Sequence, residues 1–323
     1  MKKNMINNVS LAGRLFKADL KTFTVKKEGP NFGTEFIKGD LYIATDEEML
    51  NVIPVSYVYE VPKTKSGKDN SKYVMLHKIM TADPMPTVEK VGKDAAMMLT
   101  ITNATIVTDD WYSTKQEKEG STVKVQSGFI NEVTSLPDDP AKINEFCEDV
   151  VFDSMKRIEA DEEKGIESPS LQINGYVFNF RGEISPVTFT LRDPDGIDYM
   201  EGIGFSKREP FFTKIWGNII NSTIKIAHEE ETAWGGPPKV TYTEKVNREW
   251  LITNMRAGYE FDTEDTITME ELKKALQDRE VHLAEVRKAA EEYAASKADG
   301  AGPMIGGGSK ATVPVNKSAF KDF

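Results

Sequence analysis

Short runs of β-branched and aromatic residues, separated by glycine, proline and asparagine, fill the chain from residue 8 to residue 135. The first run places Val9, Leu11, Gly13 and Leu15 at every second position, which is the spacing of one face of a β-strand. Further strands are predicted at 21–25, 35–45, 50–61, 95–108 and 122–133. Loops are predicted at 29–33, at 46–48 and at 63–72, the last of which precedes the apolar stretch 73–80. Residues 1–136 are therefore expected to form one β-rich domain.

A second β-rich domain is predicted for residues 169–262. Its candidate strands are 171–181, 187–191, 199–205, 212–226 and 240–255. Tight turns are predicted at 193–196 and 234–238, where proline and glycine cluster. Both domains begin with a strand that holds a central glycine, Gly13 and Gly175, but this likeness is too weak to indicate a repeat. The expected fold class is mainly β.

The segment between these domains, residues 137–168, has a different character. It holds eleven acidic side chains against four basic ones. Its apolar residues Ile143, Phe146, Val150 and Ile158 recur at roughly helical spacing. The pattern predicts an acidic connector helix.

The C-terminal part predicts a helix over 263–297, followed by a flexible glycine-rich tail over 298–323. Thr268 and Glu271 have the spacing of a capping box at the start of a helix. An apolar seam begins at Met269 and is interrupted by Arg279. This amphipathic helix is expected to pack on its own chain; alternatively, its seam pairs subunits into a homo-oligomer.

Composition limits the kinds of site that the chain can build. Cys147 is the single cysteine and the three histidines are far apart, so no disulfide, cysteine knuckle or paired-histidine metal site is expected. The sequence contains no recognisable catalytic motif, and we expect a non-enzymatic protein without cofactor or metal. Neither a signal peptide nor a membrane span is predicted, and the cysteine content fits a reducing, cytoplasmic compartment. The net charge of −11 weighs against nucleic-acid binding, although a local groove can still be basic.

Residues 7–15, Asn-Asn-Val-Ser-Leu-Ala-Gly-Arg-Leu, resemble the opening strand of bacterial single-stranded DNA-binding proteins. The order of parts is also similar, with a β-rich region, a glycine-rich tail and a C-terminal aromatic residue. The resemblance implies one or two OB-type β-barrels, with two favoured, in a large, phage-encoded relative that acts in the bacterial host cytoplasm. It implies binding of single-stranded DNA, with RNA as the alternative, in replication or recombination. The tail would recruit replication or recombination proteins through Phe320, Asp322 and Phe323, although the lysines beside them depart from the acidic tail of that family.

Sequence-tolerant binding of a single strand needs aromatic faces for the bases and cations for the phosphates. The first domain interleaves both kinds of residue, and the second domain holds a smaller mixture. The predicted contacts are Arg14, Lys17, Lys21, Phe23, Lys26, Lys27, Phe32, Tyr57, Tyr59, Lys63, Lys65, Lys68, Lys72 and Tyr73, followed by Arg181, Lys207, Arg208, Phe211, Lys214 and Trp216. Phe16, Phe36 and Tyr42 are expected to pack inward, since aromatic residues in strands usually do.

Two functions remain open at this point. The first is a protein that coats single-stranded DNA by base stacking and phosphate contacts. The second is a structural or assembly protein, for example a virion component, which uses β-barrels to bind other proteins and does not bind DNA.

Overall fold

A computed structural model describes residues 5–298 except 27, 30, 161–167, 231–238 and 262–265. The strands are β1 (Asn7–Thr24), β2 (Glu35–Ala44), β3 (Val52–Glu60), β4 (Met98–Ser113), β5 (Lys118–Gln126), β6 (Phe129–Glu132), β7 (Asn144–Ile158), β8 (Ser170–Phe178), β9 (Ile184–Leu191), β10 (Phe211–Glu230) and β11 (Lys239–Met255). The α-helices are α1 (Ser71–Thr81), α2 (Val88–Val91), α3 (Pro194–Ile203) and α4 (Met269–Ala298). The prediction of a mainly β fold is confirmed.

The eleven strands form one sheet whose pairings close into two circuits of five strands. In the first circuit the order is β1-β2-β3-β5-β4, and β4 pairs back onto β1. In the second circuit the order is β7-β8-β9-β11-β10, and β10 pairs back onto β7. In both circuits the third and fifth strands in chain order pair in parallel, β3 with β5 and β9 with β11. An α-helix stands between the third and fourth strands of each, α1 in the first and α3 in the second.

The two circuits share one hydrophobic core and meet where β1 pairs with β7. Asparagine side chains stabilise this junction by bonding to the backbone of the other circuit. The amide of Asn7 donates to the carbonyl oxygen of Phe178 on β8 at 3.3 Å, and also to that of Ile106 in its own circuit at 2.9 Å. The amide of Asn51 donates to the carbonyl oxygen of Ile219 at 3.0 Å. Because amides satisfy buried backbone groups without carrying charge, they suit a junction that excludes water.

The predicted connector helix at 137–168 is wrong, because residues 144–158 form β7. This strand is covered on both sides where the circuits meet, so that Val150, Val151 and Phe152 are all buried. A strand buried on both faces loses its alternating pattern, and its run of apolar residues is then easily mistaken for a helix. The second circuit therefore begins at β7. Gly13 lies in the first strand of its circuit and Gly175 in the second strand of its own, so these glycines are not equivalent.

Two segments for which no helix is predicted are helices. The apolar stretch 73–80 lies in α1, which begins where the Asn70 side chain accepts a hydrogen bond from the backbone N–H of Lys72. The predicted strand 199–205 overlaps α3, and the predicted turn at 193–196 is the start of that helix. There the side chain of Asp193 accepts a hydrogen bond from the N–H of Gly196. In both cases the Asn or Asp side chain caps a helix. The same side-chain hydrogen bond to a backbone N–H a few residues later also forms in turns, so the sequence pattern does not distinguish the two.

The C-terminal helix and its capping box are confirmed. Thr268 Oγ1 accepts from the N–H of Glu271 at 3.0 Å, and Glu271 accepts from the N–H of Thr268 at 2.9 Å. Leu272, in the first turn of α4, packs in a small second cluster with Val151 and Phe212, so the start of the helix packs on the second circuit. Packing of the helix on its own chain is thereby confirmed. No helix in the described part of the chain combines the length and apolar composition needed to cross a membrane.

Candidate nucleic-acid interface

The outer face of β1, β2 and β3 carries a series of aromatic and basic side chains. From Lys17 to Thr24 the pairing of β1 with β2 runs without irregularity, so alternate residues share a face. Ile37 and Leu41 are buried, and the residues of β2 that alternate with them therefore point outward. Cross-strand partners on the outer face are Lys17 with Tyr42, Asp19 with Asp40, Lys21 with Lys38, and Phe23 with Phe36.

Three rings, which we call the aromatic row, lie side by side across this face: Phe23, Phe36 and Tyr59. The ring centroids of Phe23 and Phe36 are 5.7 Å apart and nearly parallel. Those of Phe36 and Tyr59 are 4.6 Å apart. Phe23 is 43% exposed and lies at the end of the β1–β2 pair. The row therefore offers an apolar, partly solvent-facing surface of the kind on which bases stack.

Next to the aromatic row, Lys21 and Lys38 stand directly opposite each other, and we call them the lysine pair. Like charges at directly opposed positions destabilise a sheet, so this arrangement favours an anion between or above the two ammonium groups. Lys17 lies farther along the same face, with its Nζ 5.4 Å from the centre of the Tyr42 ring. The lysine pair thus occupies the next outward position after Phe23 and Phe36, and Lys17 lies two outward positions farther along β1.

An acidic pair separates the lysine pair from Lys17. Asp19 and Asp40 oppose each other, and Ser56 Oγ donates to Asp40 Oδ1 at 2.6 Å. Burial, followed by the charges of Asp40, Asp19 and Glu89, raises the pKa of Tyr42, which therefore stays a neutral phenol. The lysine pair thus lies on the side of the acidic pair that faces the aromatic row.

The loop between β1 and β2 borders the aromatic row, since it joins the strand ends next to Phe23 and Phe36. Its Phe32 is 63% exposed in a turn where the N–H of Phe32 donates to the carbonyl oxygen of Gly29 at 3.0 Å. Lys26 is also exposed in this loop, whereas Lys27 lies outside the described residues. Phe32 and Lys26 are therefore close enough to the aromatic row to contact a nucleic-acid strand bound there.

Tyr57 is a wrong prediction, because it is 1% exposed and belongs to the core. Its hydroxyl donates to the carbonyl oxygen of Gly128 at 3.2 Å, and burial raises its pKa far above the ordinary value. Tyr57 and Tyr59 should share a face by simple alternation. The register of β2 with β3 shifts between Ile37 and Gly39, however, so that only Tyr59 joins the aromatic row.

The inward packing expected of Phe36 and Tyr42 is also wrong. Both rings are only partly buried, and they alternate with the buried side chains of Ile37, Leu41 and Ile43. Lys38, which was not among the predicted contacts, occupies the same outward series. The alternation in residues 36–43 is a signal that the sequence itself contained, because the aliphatic residues identify the inner face.

Several other predicted contacts have structural partners. Arg14 donates to the carbonyl oxygen of Lys93 at 2.9 Å. The ammonium of Lys72 lies 3.1 Å from the buried carboxylate of Glu60 and donates to Ser127 Oγ at 2.8 Å. Tyr73 donates to Glu35 at 3.1 Å and stacks on the ring of His77. For Arg14, Lys72 and Tyr73 these contacts stabilise the fold.

The loop between β3 and α1, residues 61–70, which we call the lysine loop, lies at the end of the sheet that carries the aromatic row. Lys63 forms an exposed ion pair with Asp69 at 2.6 Å. Lys65 and Lys68 are exposed in the same loop. The loop therefore borders the aromatic row without forming part of the outer face.

The six residues predicted in the second circuit do not share one surface. Phe211 packs against the core and stacks on Phe205 at 6.1 Å. Lys214 lies 3.9 Å from the carboxylate of Asp149, and Trp216 stands opposite Cys147 on β7. Lys207 and Arg208 are exposed in the turn before β10. Arg181 lies over the exposed ring of Phe180, at 5.2 Å, in the turn between β8 and β9.

The predicted tail contacts Phe320, Asp322 and Phe323 lie outside the described residues. Within the described part of the chain, no cluster of three or more histidine, cysteine or acidic side chains has the geometry of a metal site.

Comparison with known proteins gives a family. A family model described as YorF matches residues 5–289, which covers both circuits and most of α4, and the chain therefore belongs to the YorF family. No curated protein matches the chain.

Proposed function

We propose that this member of the YorF family binds single-stranded DNA on the outer face of β1, β2 and β3, and that each of its circuits is an OB-type barrel. The support for OB-type barrels is the strand order 1-2-3-5-4, the parallel pairing of the third and fifth strands, and the helix after the third strand, all present twice. OB folds are five-stranded Greek-key barrels that bind oligonucleotides on their second and third strands. In the first circuit those strands are β2 and β3, which carry most of the aromatic row.

The observation that carries the proposal is the position of the lysine pair directly beside the aromatic row. Phe23 and Phe36 occupy one cross-strand position, and Lys21 and Lys38 occupy the next position on the same face. A base stacked on an aromatic ring contributes roughly 1–3 kcal/mol, and phosphates are bound by cations one step away along the strand. Two directly opposed lysines destabilise a free sheet, and a bound phosphate would relieve that repulsion.

The acidic net charge of −11 is compatible with this proposal because the outer face carries its cations locally. Overall acidity reduces long-range attraction of nucleic acid, so association should be slower than for a basic protein and strongly dependent on salt.

In this proposal the protein acts by binding rather than by catalysis. It would coat single-stranded DNA in the cytoplasm during replication or recombination, and the residues after α4 would contact partner proteins. The second circuit would have a mainly structural role, because its predicted contacts are dispersed.

The test is a fluorescence-anisotropy titration of labelled oligo-dT, duplex DNA and RNA at two salt concentrations. The decisive variant replaces both members of the lysine pair, Lys21→Gln with Lys38→Gln. It should weaken single-strand binding and lower the slope of log K against log salt by about 1.4, since each phosphate contact to a single strand contributes about 0.7. The matched control, Lys207→Gln with Arg208→Gln, makes the same change in charge on the second circuit and should leave the slope unchanged.

The outcomes separate the two functions. Salt-dependent binding of the single strand, with much weaker binding of the duplex, supports the proposal. If the wild-type protein does not bind at low salt, the proposal fails and the assembly-protein alternative takes its place. Equal slopes for both double variants would show that the lysine pair does not contact phosphate.

A further inference from the structure

The outer face continues beyond β3 onto the hairpin of β4 and β5. Val55 of β3 pairs with Val125 of β5, and both side chains are buried. The neighbours of Val125 therefore point outward, and Gln126 shares this face with its partner Ser56. From Thr105–Gln126 to Ser113–Lys118 the β4–β5 pairing has no irregularity, so every second residue keeps the same orientation. The surface that carries the aromatic row thus extends along the hairpin.

Trp111 lies on this extension, directly opposite Gly120. A Cβ built on Gly120 would come within 2.4 Å of Cζ2 and 2.7 Å of Cε2 of the indole. The ring therefore lies over the glycine backbone, in the space that any other side chain would fill. A large ring held against a neighbouring strand on one side is pre-organised for stacking on its other side. Trp111 is partly exposed and belongs to neither hydrophobic cluster of the described residues.

Two lysines flank Trp111 on the same face. Lys118 is two residues before Gly120 on β5 and is exposed. Lys124 is four residues after Gly120 and forms an ion pair with Asp109, which offsets part of its charge. Lys118 is therefore the stronger candidate for a phosphate contact. The combination of a ring and a nearby cation is the same as in the aromatic row.

Helix α4 holds the opposite face of the hairpin. Arg279 bonds to Asp110, and the guanidinium of Arg287 lies 5.1 Å from the centre of the Tyr112 ring. Asp110 and Tyr112 alternate with Trp111 along β4, so these contacts with α4 hold the face of the strand opposite to Trp111. The hairpin is consequently supported on one face while the face with Trp111 is turned away from the helix.

We propose that Trp111 is a second base-stacking contact for single-stranded nucleic acid, with Lys118 beside it as a phosphate contact. This inference rests on the proposed function and extends its site. From Tyr59 to Ser56 and from Gln126 to Gly120, nine residue steps along the strands correspond to about 30 Å. A short oligonucleotide would cover the aromatic row alone, and a longer one would reach Trp111.

The test compares two oligo-dT lengths, about 5 and about 16 nucleotides, which lie near the limits of known site sizes for one OB fold. Trp111→Leu should weaken binding of the longer strand about tenfold and leave the shorter one unchanged. Gly120→Ala keeps the indole but displaces it, and it should weaken binding of the longer oligonucleotide to a similar extent. The double variant should lose no more than Trp111→Leu alone. The control Trp216→Leu, on the second circuit, should affect neither length.

A second measurement uses the wild-type protein, so that it does not depend on the folding of a variant. A 16-nucleotide strand that carries 5-iododeoxyuridine should photocrosslink to Trp111, and failure to find this crosslink would overturn the inference. Equal loss for both lengths, or no loss for the longer one, would also overturn it. If the wild-type protein binds neither length, the proposed function itself fails. If it binds both lengths and Trp111→Leu binds them with the same affinities, only the present inference fails.

Discussion

Arg279 of α4 donates two hydrogen bonds to the carboxylate of Asp110 on β4, at 2.8 Å to Oδ1 and 3.1 Å to Oδ2. The side chains are 12% and 3% exposed, and Ser121 Oγ also donates to Asp110. Burial would raise the pKa of Asp110, but hydrogen bonds from His282, Arg279 and Ser121 outweigh it and hold the pKa well below its usual value. The residue that interrupts the apolar seam of α4 is therefore the one that attaches this helix to the first circuit.

Removing Arg279 should leave a buried carboxylate without its main partner. We expect Arg279→Met to lower the free energy of unfolding by about 3 kcal/mol, which is the usual cost of breaking a buried ion pair from one side. Urea denaturation followed by circular dichroism measures the change. The control Lys288→Ala removes an exposed cation from the same helix and should cost less than about 1 kcal/mol. Equal, small effects of both substitutions would show that the bidentate contact does not stabilise the fold.

His282 should make this attachment dependent on pH. Its Nε2 lies 3.4 Å from Asp110 Oδ2, and this hydrogen bond raises the pKa of His282 above the ordinary 6.5, although burial and the charge of Arg279 oppose the shift. A raised pKa in the folded state means that the stabilisation is complete below the unfolded pKa and is lost as pH rises through the folded pKa. Stability of the wild-type protein should thus decrease through this group as the pH rises above 6.5.

The measurement is urea unfolding at several pH values for the wild type and for His282→Gln. The variant should lose stability at low pH and show a flatter dependence across the range. Val281→Ala, an exposed neighbour on α4, serves as the control and should keep the wild-type pH dependence. A His282→Gln profile parallel to that of the wild type would contradict the prediction.

Tyr57 and Tyr59 should respond to substitution in opposite ways. Tyr57→Phe removes the hydroxyl that donates to Gly128 in the core, so we expect about 1 kcal/mol less stability and unchanged DNA binding. Tyr59→Ala shortens the aromatic row, and if the proposed function is correct it should weaken single-strand binding by roughly 1–3 kcal/mol. Anisotropy titration and urea unfolding of both variants give the comparison. Loss of binding in Tyr57→Phe at full stability would contradict the assignment of these two residues.

The pair of tyrosines also shows what the sequence could not reveal. Alternation correctly identifies β3 as a strand, and it predicts one face for both residues. The register shift at Gly39 separates them: this glycine has φ of 149°, and a Cβ there would meet the carbonyl oxygen of Asp19 at 2.0 Å. Such a shift depends on close approach between two strands, which is a property of the assembled sheet and leaves no periodic signal.

The same limit applies to the candidate site. The residue types of the outer face were predictable, since lysines and aromatics alternate with aliphatic residues in β1 and β2. The opposition of Lys21 and Lys38 was not, because the register of the two strands is set by the loop between them. Strand β7 was mistaken for a helix for a further reason. Its acids Glu148, Asp149 and Asp153 are buried, whereas the prediction of a solvent-facing acidic helix assumed that acidic side chains are exposed.

Glu148 should be more harmful to stability as a charged residue than as a neutral one. Its side chain is fully buried at the junction of β1 and β7, where its Oε1 accepts from the N–H of Asn8 at 3.2 Å. Burial raises its pKa well above the ordinary 4.5, with a further contribution from Asp149, although the Asn8 bond opposes the shift. Among the described residues no group donates to its Oε2.

Because the folded protein holds this proton more tightly than the unfolded chain, the wild type should lose stability as pH rises above the unfolded pKa. Glu148→Gln keeps the acceptor for Asn8 and removes the titration, so we expect it to raise the free energy of unfolding at pH 7 to 8 and to have little effect near pH 4. Urea unfolding across this range measures the difference. Glu145→Gln, a less buried acid on the same strand, is the matched control and should change stability by less than about 0.5 kcal/mol. If Glu148→Gln destabilises the protein at every pH, the buried carboxylate has a partner that the glutamine cannot replace, and the assignment of a neutral Glu148 would be wrong.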